Sequence, residues 1–172
     1  IMISSNTLNI DNPKLNCRLK GFENFSPKRI ILDKNLDIKL NNYIFNTVKN
    51  NNTIIFYNSL NKQKLKILKN KGILLIKMKL DNKKRFDLST ILRKLFKLGI
   101  RSLLIEGGDK LTKNILTHNL ANQFYLLKSP KILSKNNKHV IFTSNDILKK
   151  RYKNKSKIIT KLAKDKITIY KR

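Results

Sequence analysis

Cysteine occurs once in these 172 residues, at position 17, so no internal disulfide can close. A lone thiol fits a reducing cytoplasm. Cys17 has no His or second Cys beside it, which makes it a small residue beside a strand and not a nucleophile. Tryptophan is absent, and Ala appears only at 121 and 163. No apolar stretch approaches the length of a membrane span. Residues 1–18 lack the basic start and apolar run of a secretory signal. No internal repeat is visible. Neither G-x-G-x-x-G nor a Gly-Lys-Ser/Thr phosphate loop occurs.

Acidic residues are also scarce. Ten Asp and Glu face 39 Lys and Arg, a formal net charge of +29. Such a charge is the usual footprint of a nucleic-acid binder. Here Lys far outnumbers Arg and is scattered through every segment, together with abundant Asn and Ile. Those are the residues an AT-rich genome writes by default. A selected nucleic-acid surface favours Arg, clustered charge and interleaved aromatics. The scatter therefore points to compositional bias, and nucleic acid is not the expected partner.

What is present is organised around residues 102–112. Ser102 to Ile105 has the length and apolar character of a buried strand. It ends in Glu106, Gly107 and Gly108, after which Leu111, Ile115 and Leu116 recur at helical spacing. A strand passing through glycines into a helix start lets unpaired backbone N–H groups approach a ligand, and phosphate settles at such a place. Glu106 falls at the carboxyl end of the strand, where open α/β sheets bind their ligands. By itself the motif is somewhat more often a tight structural turn than a ligand cradle.

The remaining chain alternates. Strands are expected at 1–3, 28–33, 53–57 and 73–78, each an apolar or β-branched run closed by polar residues. Tyr43, Ile44 and Phe45 form an apolar knot that tethers an Asn/Lys-rich segment. Ser59 is read as the cap of a helix over 60–69, with Leu65 and Leu68 inward, and Gly72 stops it. The clearest helix runs from Asp87 to Leu98, with Leu88, Ile91, Leu92, Leu95 and Phe96 as its apolar stripe and Gly99 beyond its end. Strands are expected at 122–128, 140–143 and 166–170, an extended piece at 16–19, and a basic, unpatterned run at 149–164. The order indicates an α/β fold: a mainly parallel central sheet flanked by helices, with a late antiparallel edge. At this length it makes one domain with room for a sizeable core.

Four separate signatures, in order, resemble the reductase domain of riboflavin biosynthesis. Thr7, Asp11, Pro13, Leu15 and Arg18 stand as in its T-x-x-x-D-x-P-x-L-x-x-R segment. Pro27, Arg29, Ile31 and Asp33 stand as in P-x-R-x-V-x-D. Residues 87–120 resemble its D-L-x-x-L-L run ending in G-I-x-S-L-L-x-E-G-G-x-x-L, and Ser129 to Leu133 resembles A-P-x-L-L-G. The matches cover nearly the whole chain.

The resemblance implies a dihydrofolate-reductase-like fold and NADPH as cofactor. It implies reduction of the ribosyl group of 5-amino-6-(5-phosphoribosylamino)uracil to a ribityl group. Thr7, Asp11, Lys34, Gly108, Asp109, Lys110, Leu111 and Thr112 then match cofactor-contacting positions, and Leu15, Arg18 and Glu106 match substrate positions. Arg18 suits the sugar phosphate bidentately. Glu106, the catalytic candidate, can bind sugar hydroxyls or deliver a proton. Lys34 replaces a residue that is commonly small and polar in the family. It can reach the cofactor's 2′-phosphate or simply be solvated.

The sequence departs from the family at Leu120-Ala121-Asn122-Gln123 and at Ser134-Lys135. The resemblance also starts inside the domain. The family's first strand and helix, and the zinc deaminase domain of bifunctional members, would lie upstream of Ile1. A partial domain without that strand is expected not to fold stably by itself. The zinc ligands of the deaminase do not occur here, and His118 and His139 read as surface residues. Family members often form a homodimer through the late strands, which the Phe124 to Leu127 run suits. Three alternatives stay open: a reductase acting on the diamino-pyrimidinone before deamination, a decayed reductase, and a basic nucleic-acid binder.

Overall fold

The computed structural model describes residues 1–49, 52–130, 142–159 and 165–172. The chain divides into two compact units, residues 1–107 and residues 108–172.

The first unit is built on four parallel strands: β1 (Met2–Ser4), β2 (Arg29–Leu32), β3 (Thr53–Tyr57) and β4 (Leu74–Lys77), hydrogen-bonded in chain order. Every step along the sheet is parallel, with Met2 level with Ile30, Ile30 with Ile54, and Ile54 with Leu74. Parallel neighbours need crossovers, and helices supply them. These are α1 (Ser5–Asp11), α2 (Tyr43–Asn46) and α3 (Lys62–Asn70). Period-2 alternation sends Ile3, Ile31 and Ile55 into one cluster with Leu8 of α1, Ile44 and Phe45 of α2 and Leu68 of α3. The apolar knot at 43–45 is thus a short buried helix. The alternate residues Met2, Ile30, Ile54 and Phe56 are buried too, as are Leu88, Ile91 and Leu95 of α4 (Leu88–Lys97). A sheet covered on both faces reads as continuous apolar runs, which is why these strands were legible.

Buried polar groups hold the ends of this unit. Arg29 is 3% exposed and donates to the Thr47 hydroxyl (2.7 Å), the Thr47 carbonyl (2.8 Å) and Asn52 Oδ1 (2.9 Å). Asp33 is fully buried after β2, and its two oxygens accept the N–H groups of Asp37 (2.9 Å) and Ile38 (3.0 Å). Burial pushes its carboxyl pKa up, while those two N–H groups pull it down.

Several sequence expectations need correction. Residues 102–105 are not a buried strand. Only Ile105 bridges to Met2, in parallel, and Leu104 is 54% exposed. Met2 N–H donates to Leu104 C=O and Glu106 N–H donates to Met2 C=O, so the segment pairs along one side. Its other side has no backbone partner among the described residues, and a one-sided pair makes no ladder. The cap of α3 is Asn61, whose side chain accepts from Lys64 N–H; Ser59 only accepts from Asn61 N–H. Phe96 leaves the stripe of α4 for the surface, where the Arg101 guanidinium stacks 4.0 Å over its ring. Asp87 and Gly99 do bound α4: the carboxylate accepts from Ser89 N–H, and Gly99 takes φ of 82°. Residues 16–19 form no strand.

The second unit holds α5 (Asp109–Thr117), β5 (Gln123–Lys128), α6 (Asn145–Arg151), β6 (Asn154–Ile158) and β7 (Lys166–Lys171). Its strands form the late antiparallel part of the fold, a three-stranded sheet ordered β5-β7-β6. The run expected to be unpatterned at 149–164 contains the end of α6 and all of β6. A small cluster of Leu116, Leu148 and Tyr152 forms its core, with Phe124 and Phe142 stacked at 5.7 Å beside it. The Arg151 guanidinium donates to the carbonyls of Leu116 and Thr117, satisfying the carboxyl end of α5. Of the strand expected at 140–143, residues 140 and 141 lie outside the described residues; Phe142 and Thr143 are not strand. His139 and the signature residues 131–135 also lie outside them.

Candidate functional site

Ligands of parallel sheets collect beyond the carboxyl ends of the strands. Three of the candidate residues are at that end of the first unit. β1 finishes at Ser4, whose hydroxyl oxygen caps α1 by accepting from Thr7 N–H at 3.2 Å and lies 3.0 Å from the Thr7 hydroxyl. Lys34 stands two residues past the end of β2, after the buried Asp33. Glu106 follows the bridge at Ile105, with its carboxylate exposed. The register that pairs Met2 with both Ile30 and Ile105 fixes these positions together.

The other first-unit candidates lie at the end of α1 and in the stretch after it. Asp11 is the last residue of α1 and exposed. A helix of seven residues carries it about 10 Å from the helix start. Asn12 then turns left-handed (φ 44°) and its Oδ1 accepts Tyr43 N–H at 2.7 Å. Leu15, also left-handed (φ 49°), is 8% exposed and packs in the core cluster. Arg18 is exposed, and among the described residues its guanidinium has no partner.

In the second unit, Gly108 caps α5 in extended conformation (φ −64°). A Cβ there would meet nothing within 4 Å. Neither a strained φ nor crowding by the protein calls for glycine at this position. Open space above a helix start leaves room for a ligand to reach the backbone. The N–H groups of Leu111 and Thr112 already donate to Gly108 C=O, and among the described residues those of Asp109 and Lys110 have no backbone acceptor. The Asp109 side chain is committed elsewhere. Its oxygens accept the Thr143 N–H (2.9 Å) and hydroxyl (2.8 Å), and these bonds hold its carboxyl below the usual range. What Asp109 can offer a phosphate is its backbone.

Some organising residues were not singled out from the sequence. Asn58 N–H donates to Lys34 C=O at 2.8 Å, and its side-chain amide donates to Met78 C=O. Lys34 Nζ donates to Lys84 C=O at 3.4 Å. Asp33 followed by a polar stretch was a readable turn signal. Nothing local pairs Asp109 with Thr143, 34 residues away. A shallow groove of about 420 Å³ lies between residues 37–40 and the start of α3, and none of the candidate residues lines it. No helix among the described residues is long and apolar enough to cross a membrane. No group of three potential metal ligands gathers among them.

A four-stranded parallel sheet with helical crossovers, followed by an antiparallel sheet, defines the class: an α/β protein. The chain belongs to the RibD C-terminal domain family, whose profile matches residues 1–168. Riboflavin biosynthesis protein RibD of Actinobacillus pleuropneumoniae is 33% identical over 133 residues, which are 77% of this chain and 35% of that protein. RibD of Aquifex aeolicus (strain VF5) is 32% identical over the same shares. This chain thus spans about a third of the length of these curated relatives. A 2,5-diamino-6-ribosylamino-4(3H)-pyrimidinone 5′-phosphate reductase of Aquifex aeolicus is 26% identical over 80% of this chain and 59% of its own. Among solved structures, Acinetobacter baumannii RibD superposes with a TM-score of 0.71 at 19% identity, covering 99% of this chain and 46% of that one. A pyrimidine reductase-like protein of Corynebacterium diphtheriae does so at 0.72 and 15%, covering 99% and 74%. At those identities the two structures speak to the fold.

Proposed function

We propose that the chain is the NADPH-dependent reductase part of a riboflavin-biosynthesis enzyme, converting 5-amino-6-(5-phosphoribosylamino)uracil to its ribitylamino product. The observation that carries this is the gathering of Thr7, Lys34 and Glu106 at the carboxyl end of one parallel sheet, in a chain of this family.

The residues present suit the cofactor's chemistry. Its phosphates call for backbone donors and cations. The open first turn of α5, with Gly108 before Asp109 and Lys110, offers the former, and Lys34 the latter. Thr7, Asp11, Leu111 and Thr112 complete the cofactor set, and Leu15 and Arg18 hold the substrate. NADPH, when bound, supplies the hydride that the ring-opened ribosyl C1, an imine carbon, accepts to become a methylene.

The protein's contribution is positional and electrostatic. Arg18, exposed and without a partner among the described residues, grips the 5-phosphate with two parallel N–H donors. Ring opening moves the amine N–H proton to the ring oxygen, which becomes a hydroxyl, and hydride addition to C1 then calls for one further proton at nitrogen, which the exposed Glu106 delivers and regains from water.

The relative named as a diamino-pyrimidinone phosphate reductase supports a second reading, reduction before deamination. Assaying both pyrimidines separates the two. The deciding experiment is an NADPH titration of the full-length polypeptide at low and near-physiological salt, with NADH and bulk RNA as competitors. Saturable binding that prefers NADPH and survives both is expected. Binding that salt or RNA abolishes would reduce the +29 charge to generic anion affinity and overturn the reductase reading. Arg18→Ala should raise KM for the pyrimidine about tenfold or more, with NADPH affinity unchanged. Loss of NADPH affinity instead would remove Arg18 from the substrate.

A further inference from the structure

We infer that Thr143 is a positioning residue for the start of α5: it draws the Asp109 carboxylate off the first turn and so keeps that turn open to the cofactor's phosphates. The inference rests on the reductase reading and adds to its cofactor site a residue that does not itself touch the cofactor.

The start of α5 is bare. Its cap, Gly108, has no side chain to accept a first-turn N–H, and a Cβ there would meet nothing within 4 Å. The acidic side chain of this turn is that of Asp109. An ionised carboxylate at the first position of a helix is drawn toward its own helix's N–H groups by the macrodipole. Left to itself, it would lie near them in place of a ligand and repel an approaching phosphate.

Thr143 prevents this. Its N–H donates to Asp109 Oδ1 at 2.9 Å and its hydroxyl to Oδ2 at 2.8 Å, so each carboxylate oxygen is held by a donor 34 residues away. These bonds hold the carboxyl below its usual range, so the group is ionised at neutral pH and its charge has to lie somewhere. Lys113, one turn along α5, also favours the ionised form. Thr143 directly precedes Ser144, the cap of α6, and Leu148 of α6 is buried in one cluster with Leu116 of α5. The two bonds are therefore backed by the packed core of this unit. For stability alone, a Ser or Asp at the cap position would serve α5 directly. A glycine cap, with the neighbouring carboxylate tied elsewhere, keeps the turn empty.

The test is direct binding of NADPH and NADH to the full-length polypeptide at near-physiological salt, with KM for the pyrimidine measured alongside. Thr143→Val keeps the side chain's shape and the N–H bond but removes the hydroxyl donor to Oδ2. It is expected to weaken NADPH and NADH alike, about fivefold, with the pyrimidine KM within about twofold of wild type. Thr143→Ser keeps both donors and should bind each cofactor within about twofold of wild type. Adding Asp109→Asn to Thr143→Val removes the charge and should restore cofactor affinity to within about twofold. A purely structural role for Thr143 would not be repaired by neutralising its partner. A wild-type protein with no saturable NADPH binding overturns the reductase reading itself. A wild type that binds, with Thr143→Val binding equally well, or binding weakly and left unrepaired by Asp109→Asn, overturns this inference alone.

Discussion

The two units solve the same problem with different means. In the first, β1 to β4 are parallel, β2 and β3 are almost wholly buried, and one cluster joins three strands to three helices. In the second, β6 is exposed along its whole length, and β5 leaves Tyr125 and Leu127 half or more exposed. Its core is three fully buried side chains with a ring of partly buried ones. Apolar burial scales with area, so the first unit draws its stability from packing. The second depends more on individual hydrogen bonds: Tyr152 hydroxyl to Ala121 C=O at 2.9 Å, Arg151 to the end of α5, and Asp109 to Thr143.

That contrast can be broken by experiment. The largest effect should come from Arg29→Ala, which removes a buried guanidinium and its three hydrogen bonds to Thr47 and Asn52. A loss of about 3 kcal/mol is expected in chemical denaturation. Native-state hydrogen exchange should show faster exchange in β2 and β3, with β5 and β7 unchanged. Equal acceleration in both sheets would mean the units unfold as one.

Tyr152→Phe should remove about 1 kcal/mol and speed exchange only in the second unit. An effect on β2 amides would count against independence.

Acid sharpens the comparison further. The Asp109 carboxyl is held below its ordinary range by its bonds to Thr143. A depressed native pKa gives stability that is present above the unfolded value and is lost as pH falls through the native one. Acidification below the ordinary carboxylate range should therefore loosen the start of α5. Asp109→Asn should flatten that response, and a full acid response in the variant would remove Asp109 as its source. The buried Asp33 runs the opposite way: its raised pKa favours the native state below the ordinary carboxylate range, and that contribution fades as pH rises through the native value. NMR titration of the two carboxyls should find them displaced in opposite directions. The smallest effect belongs to Leu127→Lys, on an exposed position, where less than about 0.5 kcal/mol is expected from thermal unfolding.

Legibility followed the same divide. Thr53–Tyr57 was found residue for residue because a strand buried on both faces needs an unbroken apolar run. β6, Asn154–Ile158, carries Lys155, Ser156 and Lys157 and buries nothing, so no periodicity could announce it; only pairing with β7 makes it a strand. Phe96 had the spacing of a core residue and went to Arg101 instead. The candidate site was half readable. Gly108 and the start of α5 carried a local signal, as did Glu106. The link from Lys34 to Lys84 and that from Asp109 to Thr143 did not.

The sequence by itself determined the parallel strands, most of the apolar faces of the helices, the cap at Asp87, and the family signatures. Each is a local or periodic property, carried by neighbours within a few residues. Tertiary structure alone decided that residues 102–105 would be a one-sided bridge, that the late strands would form their own sheet, and which carboxylates would be spent on turns. Those outcomes depend on contacts between residues tens of positions apart, where spacing along the chain carries no record of which groups meet.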